Sequence, residues 1–309
     1  MNENKKLSVI VPCYNEEKNL DTFLQRILQT IKKLGLDYNI IFVDDGSSDK
    51  TWKKISSFSI NNTKITSIRL TRNFGHQSAL KVGLDNADGD YIFSLDADLQ
   101  DPPELLIEMI NKIKDEKLNI IYAQRNSNNE SYIKKITSYL FYFLFNKISK
   151  VKILQQVSDF RLIDSNVLKE LKKIKEYDLF YRGLIPWMGF DYGVIKFDRD
   201  NRKQGKTGWS FVKMIDFALT GIFKFSNLPM RLSFLITFFM IVIFLLLSFY
   251  TFFVYFSGNV IKGWTSIIIV ISFLNIGIFF ILGIISEYVG RIYNEIKSRP
   301  NYIINEKIN

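Results

Sequence analysis

Residues 95–104 read LDADLQDPPE, and this stretch decides the expected architecture. It closes the apolar run 91–95, and its Asp-Pro-Pro-Glu end has the features of a helix start: an N-cap, a proline in the first turn and a capping-box glutamate. Asp96 and Asp98 stand one residue apart just past the run, a spacing that lets two carboxylates reach one divalent cation. The stretch predicts a strand, an acidic loop and a helix in succession.

The same alternation recurs on either side of this stretch. Short apolar or β-branched runs lie between segments of helical period, and the predicted strands are 7–11, 38–43, 65–70, 91–95 and 119–123. Such alternation predicts an α/β fold with a mainly parallel sheet and helices on both faces. In that architecture ligands bind beyond the carboxyl ends of the strands, so the loops there are the expected site.

Three of these loops are acidic. The first is VPCYNEE at 11–17, the second is VDDGSSD at 43–49, and the third contains Asp96 and Asp98, with Gln100 as a possible neutral ligand. Each loop alone is equally typical of turns and helix caps. Together at one sheet edge, their carboxylates would repel one another and any diphosphate, and a bridging divalent cation resolves that conflict.

Composition limits the metal and the partners. The chain has 41 basic and 31 acidic residues, a formal charge of +10 that suits phosphate, a membrane surface or nucleic acid. The basic residues are scattered, which argues against nucleic acid. Because Cys13 and His76 are the only residues of their types, a Cys/His zinc cluster is excluded, and oxygen ligands would select Mg²⁺ or Mn²⁺.

The C-terminal third predicts a membrane hairpin. Residues 232–256 and 265–286 carry no charge, and each reaches the ~20 residues that a membrane-spanning helix needs. A pair of buried helices in a soluble core is the alternative. Lysines and arginines flank the hairpin and leave only Lys262 in its turn, so the N-terminal domain and both termini are expected on the cytoplasmic side of a bacterial plasma membrane. The first apolar run, 7–11, is too short for a signal peptide.

Five motifs spread over the chain resemble one family. VPCYNEE, FVDDGSSD, TRNFGHQSAL, DADLQDPPE and SDFRLID are similar to the polyprenyl-phosphate glycosyltransferases of glycosyltransferase family 2, which include bactoprenol glucosyltransferases and dolichol-phosphate mannosyltransferases. The resemblance implies a GT-A, Rossmann-like fold and an integral membrane enzyme. It also implies metal-dependent, inverting, non-processive transfer of a sugar, with UDP-glucose or a related UDP-hexose as donor and undecaprenyl phosphate as acceptor.

The resemblance assigns roles to individual residues. It implies nucleotide binding by Pro12, Tyr14, Glu16, Asp44 and Asp45, metal binding by Asp96, Asp98 and Gln100, and phosphate or acceptor binding by Arg125, Lys134, Lys135 and Arg202. Asp159 matches the family's catalytic base, with Asp98 also at the reacting centre. A phosphate monoester is largely deprotonated at neutral pH, so whether Asp159 takes a proton or orients the acceptor stays open.

The expected organisation has four parts: a catalytic domain at 1–208, a juxtamembrane helix at 209–231, the hairpin at 232–288 and a cytoplasmic tail at 289–309. The helix 132–149 and the juxtamembrane helix are amphipathic and predict contact with membrane lipid, or else burial or subunit contacts in a homo-oligomer, with a tetramer as one form. Two alternative functions compete with sugar transfer to a lipid phosphate. A processive polysaccharide synthase lacks support, since no Gln-x-x-Arg-Trp segment is present. A non-catalytic nucleotide-binding adaptor conflicts with intact acidic motifs.

Overall fold

The computed structural model describes residues 5–126, 154–177, 179–198, 228–256 and 263–309. The amphipathic helix expected at 132–149, most of the one expected at 209–231, and the predicted phosphate ligands Lys134, Lys135 and Arg202 lie outside these residues. The chain divides into two compact units. One contains the sheet and residues Arg299–Asn309, and the other contains the two long C-terminal helices.

The first unit is built on a mixed sheet of eight strands: β1 (Lys6–Cys13), β2 (Asp37–Asp44), β3 (Ile65–Leu70), β4 (Tyr91–Ser94), β5 (Ile120–Arg125), β6 (Val157–Asp164), β7 (Tyr192–Phe197) and β8 (Ile304–Ile308). Their order is β7-β5-β6-β4-β1-β2-β3-β8. Strand β1 runs parallel to β2 and β4, β2 parallel to β3, and β5 parallel to β7. Strands β6 and β8 are antiparallel to their neighbours.

All five strands expected from sequence are present, within two residues at each end. Strands β6, β7 and β8 were not predicted. The expected mainly parallel sheet is therefore mixed, because β6 enters between β4 and β5 in the opposite direction.

The unit's helices cover both faces of the sheet: α1 (Leu20–Leu34), α2 (Thr51–Asn61), α3 (His76–Asn86), α4 (Leu106–Asp115), α5 (Ser165–Lys173) and α6 (Tyr181–Trp187). Helix α1 shows why they form: Phe23, Ile27 and Ile31 recur at helical spacing and are buried, and Gly35 ends the helix at φ 62 with its N–H bonded to the Ile31 carbonyl. Helices α1 and α4 bury one face. On the opposite face, α3 packs on β1, and α5 packs on β4 and β6.

The start of α4 differs from the sequence prediction. Pro103–Leu105 form a 3₁₀ turn before the helix, with no side-chain cap. Glu104, expected to close a capping box, instead accepts two hydrogen bonds from Arg26 of α1, at 2.8 and 2.7 Å. The capping-box prediction was wrong because a bidentate arginine on the neighbouring helix is the stronger partner for this carboxylate.

The segment expected to be a tail after the hairpin contributes to the sheet. Strand β8 pairs antiparallel with β3, and the Thr71 N–H donates to the Ile303 carbonyl at 3.0 Å. The Tyr302 hydroxyl lies 3.0 Å from Asp85 on α3, and the Asn301 amide donates to the carbonyls of Glu176 and Tyr177 at 3.0 and 3.1 Å. Residues far apart in sequence thus close the β3 edge, which would otherwise expose unpaired backbone groups.

The second unit contains α7 (Leu228–Phe256) and α8 (Trp264–Ile296). A Cβ at Gly277 would lie 2.5 Å from Cε of Met240, so the two helices approach closely at this glycine. Within the described residues, one stretch, Phe273–Ile296, is long and apolar enough to cross a membrane, and α7 offers the shorter apolar stretch Leu232–Leu247. The two-span hairpin stays a prediction.

Asn301→Ala tests the attachment of the C-terminal segment. Losing two hydrogen bonds to backbone carbonyls should lower the free energy of unfolding by about 1–3 kcal/mol. Thermal unfolding of the full chain in detergent measures it, with the exposed Asn305→Ala as the matched control. Equal melting temperatures for the two variants would contradict the attachment.

Gly46→Ala tests the contact between two loops that follow β2 and β3. Gly46 has φ 69, and a Cβ there would lie 2.5 Å from the Arg72 carbonyl carbon and 2.7 Å from the Asn73 nitrogen. Gly35 has φ 62 but open space around it, so Gly35→Ala introduces backbone strain alone, typically about 1–3 kcal/mol.

We expect Gly46→Ala to lose clearly more stability than Gly35→Ala and to weaken nucleotide binding as well, because the collision is with backbone atoms that cannot rotate away. Unfolding midpoints and nucleotide titrations of both variants supply the comparison. Indistinguishable losses would show that the loops separate freely.

Candidate active site

A cleft of about 270 Å³ opens at the carboxyl ends of β1, β2 and β4. Its lining comprises Pro12, Cys13, Tyr14, Glu16, Asp45, Asn73, Gly75, His76, Ala79, Asp96, Ala97 and Asp98. Six of the residues that the sequence predicted for the site are among them: Pro12, Tyr14, Glu16, Asp45, Asp96 and Asp98. Parallel strands end at one edge, so the topology brings these three loops together.

Hydrogen bonds join the two loops that follow β1 and β2. The Asn15 N–H donates to the Ser47 hydroxyl at 2.9 Å, and the Ser48 N–H donates to the Asn15 side-chain oxygen at 2.9 Å. Asn15 adopts φ 56, a conformation that asparagine tolerates better than most residues. This part of the cleft is therefore held in place before any ligand binds.

The two aspartates after β2 have different surroundings. Asp45 lines the cleft and accepts hydrogen bonds from the Phe74 and Gly75 N–H groups at 2.7 and 3.0 Å. Burial raises its pKa, and the two backbone donors only partly oppose that rise. Asp44 is fully buried, accepts from the Ser47 N–H at 3.0 Å and lies 3.3 Å from Nε of Arg69. It lies behind the lining, so its role as a nucleotide contact stays a prediction.

The predicted metal ligands follow β4. Asp96 is 36 % exposed and lines the cleft with Asp98, whose carboxylate accepts from the Gln100 N–H at 3.1 Å. Leu99, between them and Gln100, has φ 62, which is strained for a leucine and typical of functional loops. Gln100 is 7 % exposed and is not among the described residues that line the cleft.

The donor set fits a magnesium or manganese ion that is shared with a substrate. No group of three His, Cys, Asp or Glu side chains arranged to hold a metal occurs in the described part of the chain. Mg²⁺ usually takes one or two carboxylates, several waters and substrate phosphates rather than an all-protein cage. Asp96 and Asp98 supply that pair of carboxylates at an open cleft.

Asp159 lies on β6, with 5 % of its side chain exposed. One carboxylate oxygen contacts Arg161, and the other accepts from the Gln77 amide at 2.9 Å and lies 3.3 Å from Nε2 of His76 and 3.9 Å from Arg182. Burial would raise the pKa of Asp159, but the charge of Arg161, the His76 hydrogen bond and the charge of Arg182 outweigh it and hold the pKa far below its usual value. The carboxyl is ionised and enclosed.

Arg125, predicted to bind phosphate, lies at the end of β5. Its guanidinium pairs with the buried carboxylate of Asp101 at 3.2 Å, and 22 % of its side chain is exposed. The structure places Arg125 beside the DADLQD loop, and it does not bring it into the lining of the cleft. Its phosphate role stays a prediction.

Three residues at the site had no role predicted from the sequence: His76, Gln77 and Arg182. His76 lines the cleft, with 41 % of its side chain exposed, and Nε2 lies 3.7 Å from Asp96. Burial would lower its pKa, but the charge of Asp96 and the bond to Asp159 raise it to about 9. The motif TRNFGHQSAL contains His76 and Gln77, and the Gln77 contact with Asp159 spans 82 positions of the sequence.

Comparisons with known proteins identify the family and the relatives of this chain. Residues 8–172 match the model of Glycosyl transferase family 2. An uncharacterized glycosyltransferase of Synechocystis, sll0501, is 39 % identical over 306 residues, covering 97 % of this chain and 95 % of the relative. The bactoprenol glucosyl transferase of Shigella phage SfV is 35 % identical, covering 98 % of this chain and 99 % of the relative.

Solved structures resemble the fold at a distance. Mannosyl-3-phosphoglycerate synthase from Rubrobacter xylanophilus gives a TM-score of 0.49 at 14 % identity, covering 71 % of this chain and 72 % of that one. The GT-A fold expected from the sequence motifs is present, with a mixed sheet in place of the mainly parallel one. The family model covers more than half of the chain, and the relatives match nearly all of it. The chain belongs to glycosyl transferase family 2.

Proposed function

We propose that this glycosyltransferase moves a single hexose from a nucleotide-sugar, UDP-glucose or a related UDP-hexose, onto a polyprenyl phosphate such as undecaprenyl phosphate. The observation that carries the proposal is the cleft, which gathers carboxylates of three strand-end loops beside Asp159. Relatives that match almost the whole chain are named bactoprenol glucosyl transferases, which supports the acceptor class.

The donor is proposed to lie along the cleft from β2 toward β6. Pro12, Tyr14 and Asp45 form the end for the base and ribose, and Asp96 and Asp98 lie nearer β6. Asp96 and Asp98 would hold Mg²⁺ or Mn²⁺, which would supply Lewis-acid stabilisation of the charge that develops on the departing nucleoside diphosphate. Without it, the carboxylates would repel the donor.

The reaction is proposed as one displacement. An oxygen of the acceptor phosphate forms a bond to the anomeric carbon while the bond from that carbon to the diphosphate oxygen breaks, and the nucleoside diphosphate leaves with the electron pair. With Asp159 enclosed and no covalent nucleophile expected at the sugar, the anomeric configuration inverts, by analogy with the carboxylate logic of glycosidases.

The acceptor's lipid chain gives the apolar helices a role. A prenyl phosphate stays in the bilayer, so the transferase must meet its phosphate at the headgroup layer. The stretch Phe273–Ile296 supports membrane association. We propose that α7 and α8 span the cytoplasmic membrane as a hairpin, with the catalytic unit and both termini in the cytoplasm and the chain assembled as a homo-oligomer.

Asp96→Ala and Asp98→Ala test the metal site. Each should reduce transfer by at least ~100-fold, in line with the several kcal/mol that a catalytic metal contributes. Each should also weaken Mn²⁺ binding in the presence of UDP, measured by calorimetric titration. Asp88→Ala, which removes an exposed carboxylate paired with Lys6, is the control and should change neither. Full activity in the double variant, or with all divalent ions chelated, would refute the metal role.

The substrates are tested by incubating the purified full chain with undecaprenyl phosphate, Mn²⁺ and a panel of nucleotide-sugars. We expect one hexose per lipid from a UDP-hexose, with inverted configuration by NMR of the product. Polymer formation would favour a processive synthase. Tight nucleotide binding without turnover on any lipid phosphate would favour the adaptor.

A further inference from the structure

The enclosure of Asp159 separates it from an incoming acceptor. Arg161 occupies one carboxylate oxygen, and Gln77 and His76 share the other. The Gln77 amide is oriented in turn, because its oxygen accepts from the Tyr181 N–H at 3.3 Å, which directs the amide nitrogen to Asp159. The Asp159 backbone is fixed as well, since its carbonyl accepts from the Ser94 hydroxyl at 2.6 Å.

The side chain of His76 is accessible from the cleft, and the side chain of Asp159 is not. Its side chain is 41 % exposed and belongs to the lining of the cleft, whereas Asp159 is absent from the described lining. Nε2 of His76 lies between the carboxylates of Asp159 and Asp96, at 3.3 and 3.7 Å. The imidazole is thus the group through which the Asp159 network contacts the cleft.

We propose that His76 contacts the acceptor phosphate directly and that Asp159 is a positioning residue, which holds the imidazole in place together with Gln77. The inference rests on the proposed function and decides between the two roles left open for Asp159. Arg182, whose guanidinium lies 3.9 Å from Asp159, adds positive charge on the same side.

The order of the sheet explains why the ligand is the acceptor phosphate. The proposed base and ribose contacts follow β1 and β2, Asp96 follows β4, and Asp159 lies on β6 beyond it. A donor with its nucleoside at the first end and its diphosphate at Asp96 places its sugar toward β6. The attacking phosphate approaches that sugar from the side opposite the leaving group. A phosphate dianion there meets the exposed part of His76, and the positive charges of Arg182 and the buried Arg161 lie close by, around Asp159.

The first test separates acceptor from donor binding. In the full chain, His76→Ala should raise the KM for undecaprenyl phosphate by ~10–100-fold, the usual effect of losing a hydrogen bond to a charged group. Its affinity for the UDP-hexose with Mn²⁺ should stay within about twofold of the parent protein. His76→Gln, which keeps a donor, should recover part of the loss. Lys54→Ala, which removes a half-buried cation paired with the exposed Asp21, is the control and should behave as the parent protein.

The second test is a double-mutant cycle between His76 and Asp159. If Asp159 acts only through the imidazole, Asp159→Asn should raise the same KM, and adding it to His76→Ala should cost no more than about threefold further. If Asp159 acted as an independent base, the losses in kcat of the two single variants would multiply in the double variant. Binding of the UDP-hexose shows that each variant is folded. If Asp159→Asn fails that check, the acceptor KM of His76→Ala and His76→Gln decides alone.

Two outcomes overturn the inference. One is a normal acceptor KM in His76→Ala, and the other is a loss of donor affinity as large as the loss of acceptor affinity, which would assign the imidazole to the diphosphate or the sugar. The proposed function fails separately, when the parent protein itself transfers no sugar to undecaprenyl phosphate.

Discussion

The antiparallel entry of β6 is the constraint on which the site depends. In a sheet of parallel strands, only the carboxyl ends of the strands reach the edge where ligands bind. Because β6 runs opposite to β4, with Ser94 opposite Arg161, its beginning lies at the edge where β4 finishes. That reversal brings Asp159 near the loop of Asp96, and the Ser94 hydroxyl bonded to the Asp159 carbonyl fixes the pairing at that point.

Carboxylates line the cleft, and positive groups cluster around Asp159 beside it. The loops after β1, β2 and β4 contribute carboxylates, and β6, α3 and α6 contribute Arg161, His76 and Arg182 around one carboxylate. Burying an unpaired charge is costly, so Asp159 and the fully buried Arg161 depend on each other. The proposed transfer between two phosphates would require these two regions, an acidic one that holds a cation and a basic one that receives an anion.

Much of the fold could be predicted because short stretches of sequence determine those strands and loops. Apolar runs bounded by turn residues gave five strands, and the acidic loops after three of them identified the cleft. The remainder depends on long-range partners. Strand β6 is polar at Ser158, Asp159 and Arg161, which hides its strand character. All three are buried, and Asp159 has hydrogen-bond partners on α3 and β4. Similarly, Glu104 pairs with Arg26 instead of capping its own helix.

The resemblance to a family assigned roles to more residues than the residue patterns alone did. It assigned no role to His76, which faces the cleft beside Asp159. A lone histidine in sequence gives no indication of its surroundings. What identifies His76 is the convergence of α3, β4 and β6, a property of the folded chain. The same limit applies to Asp44, which sequence cannot distinguish from its neighbour Asp45 in the lining of the cleft.

The place of β8 in the chain has a consequence for biosynthesis. This strand follows α7 and α8 in sequence, so a ribosome makes both apolar helices before the last partner of β3 emerges. Until then the nascent sheet carries an open edge, the kind of surface at which unfinished chains aggregate. Completion of the catalytic unit is therefore coupled to translation of the apolar helices, and a fragment that stops before them would carry that open edge permanently.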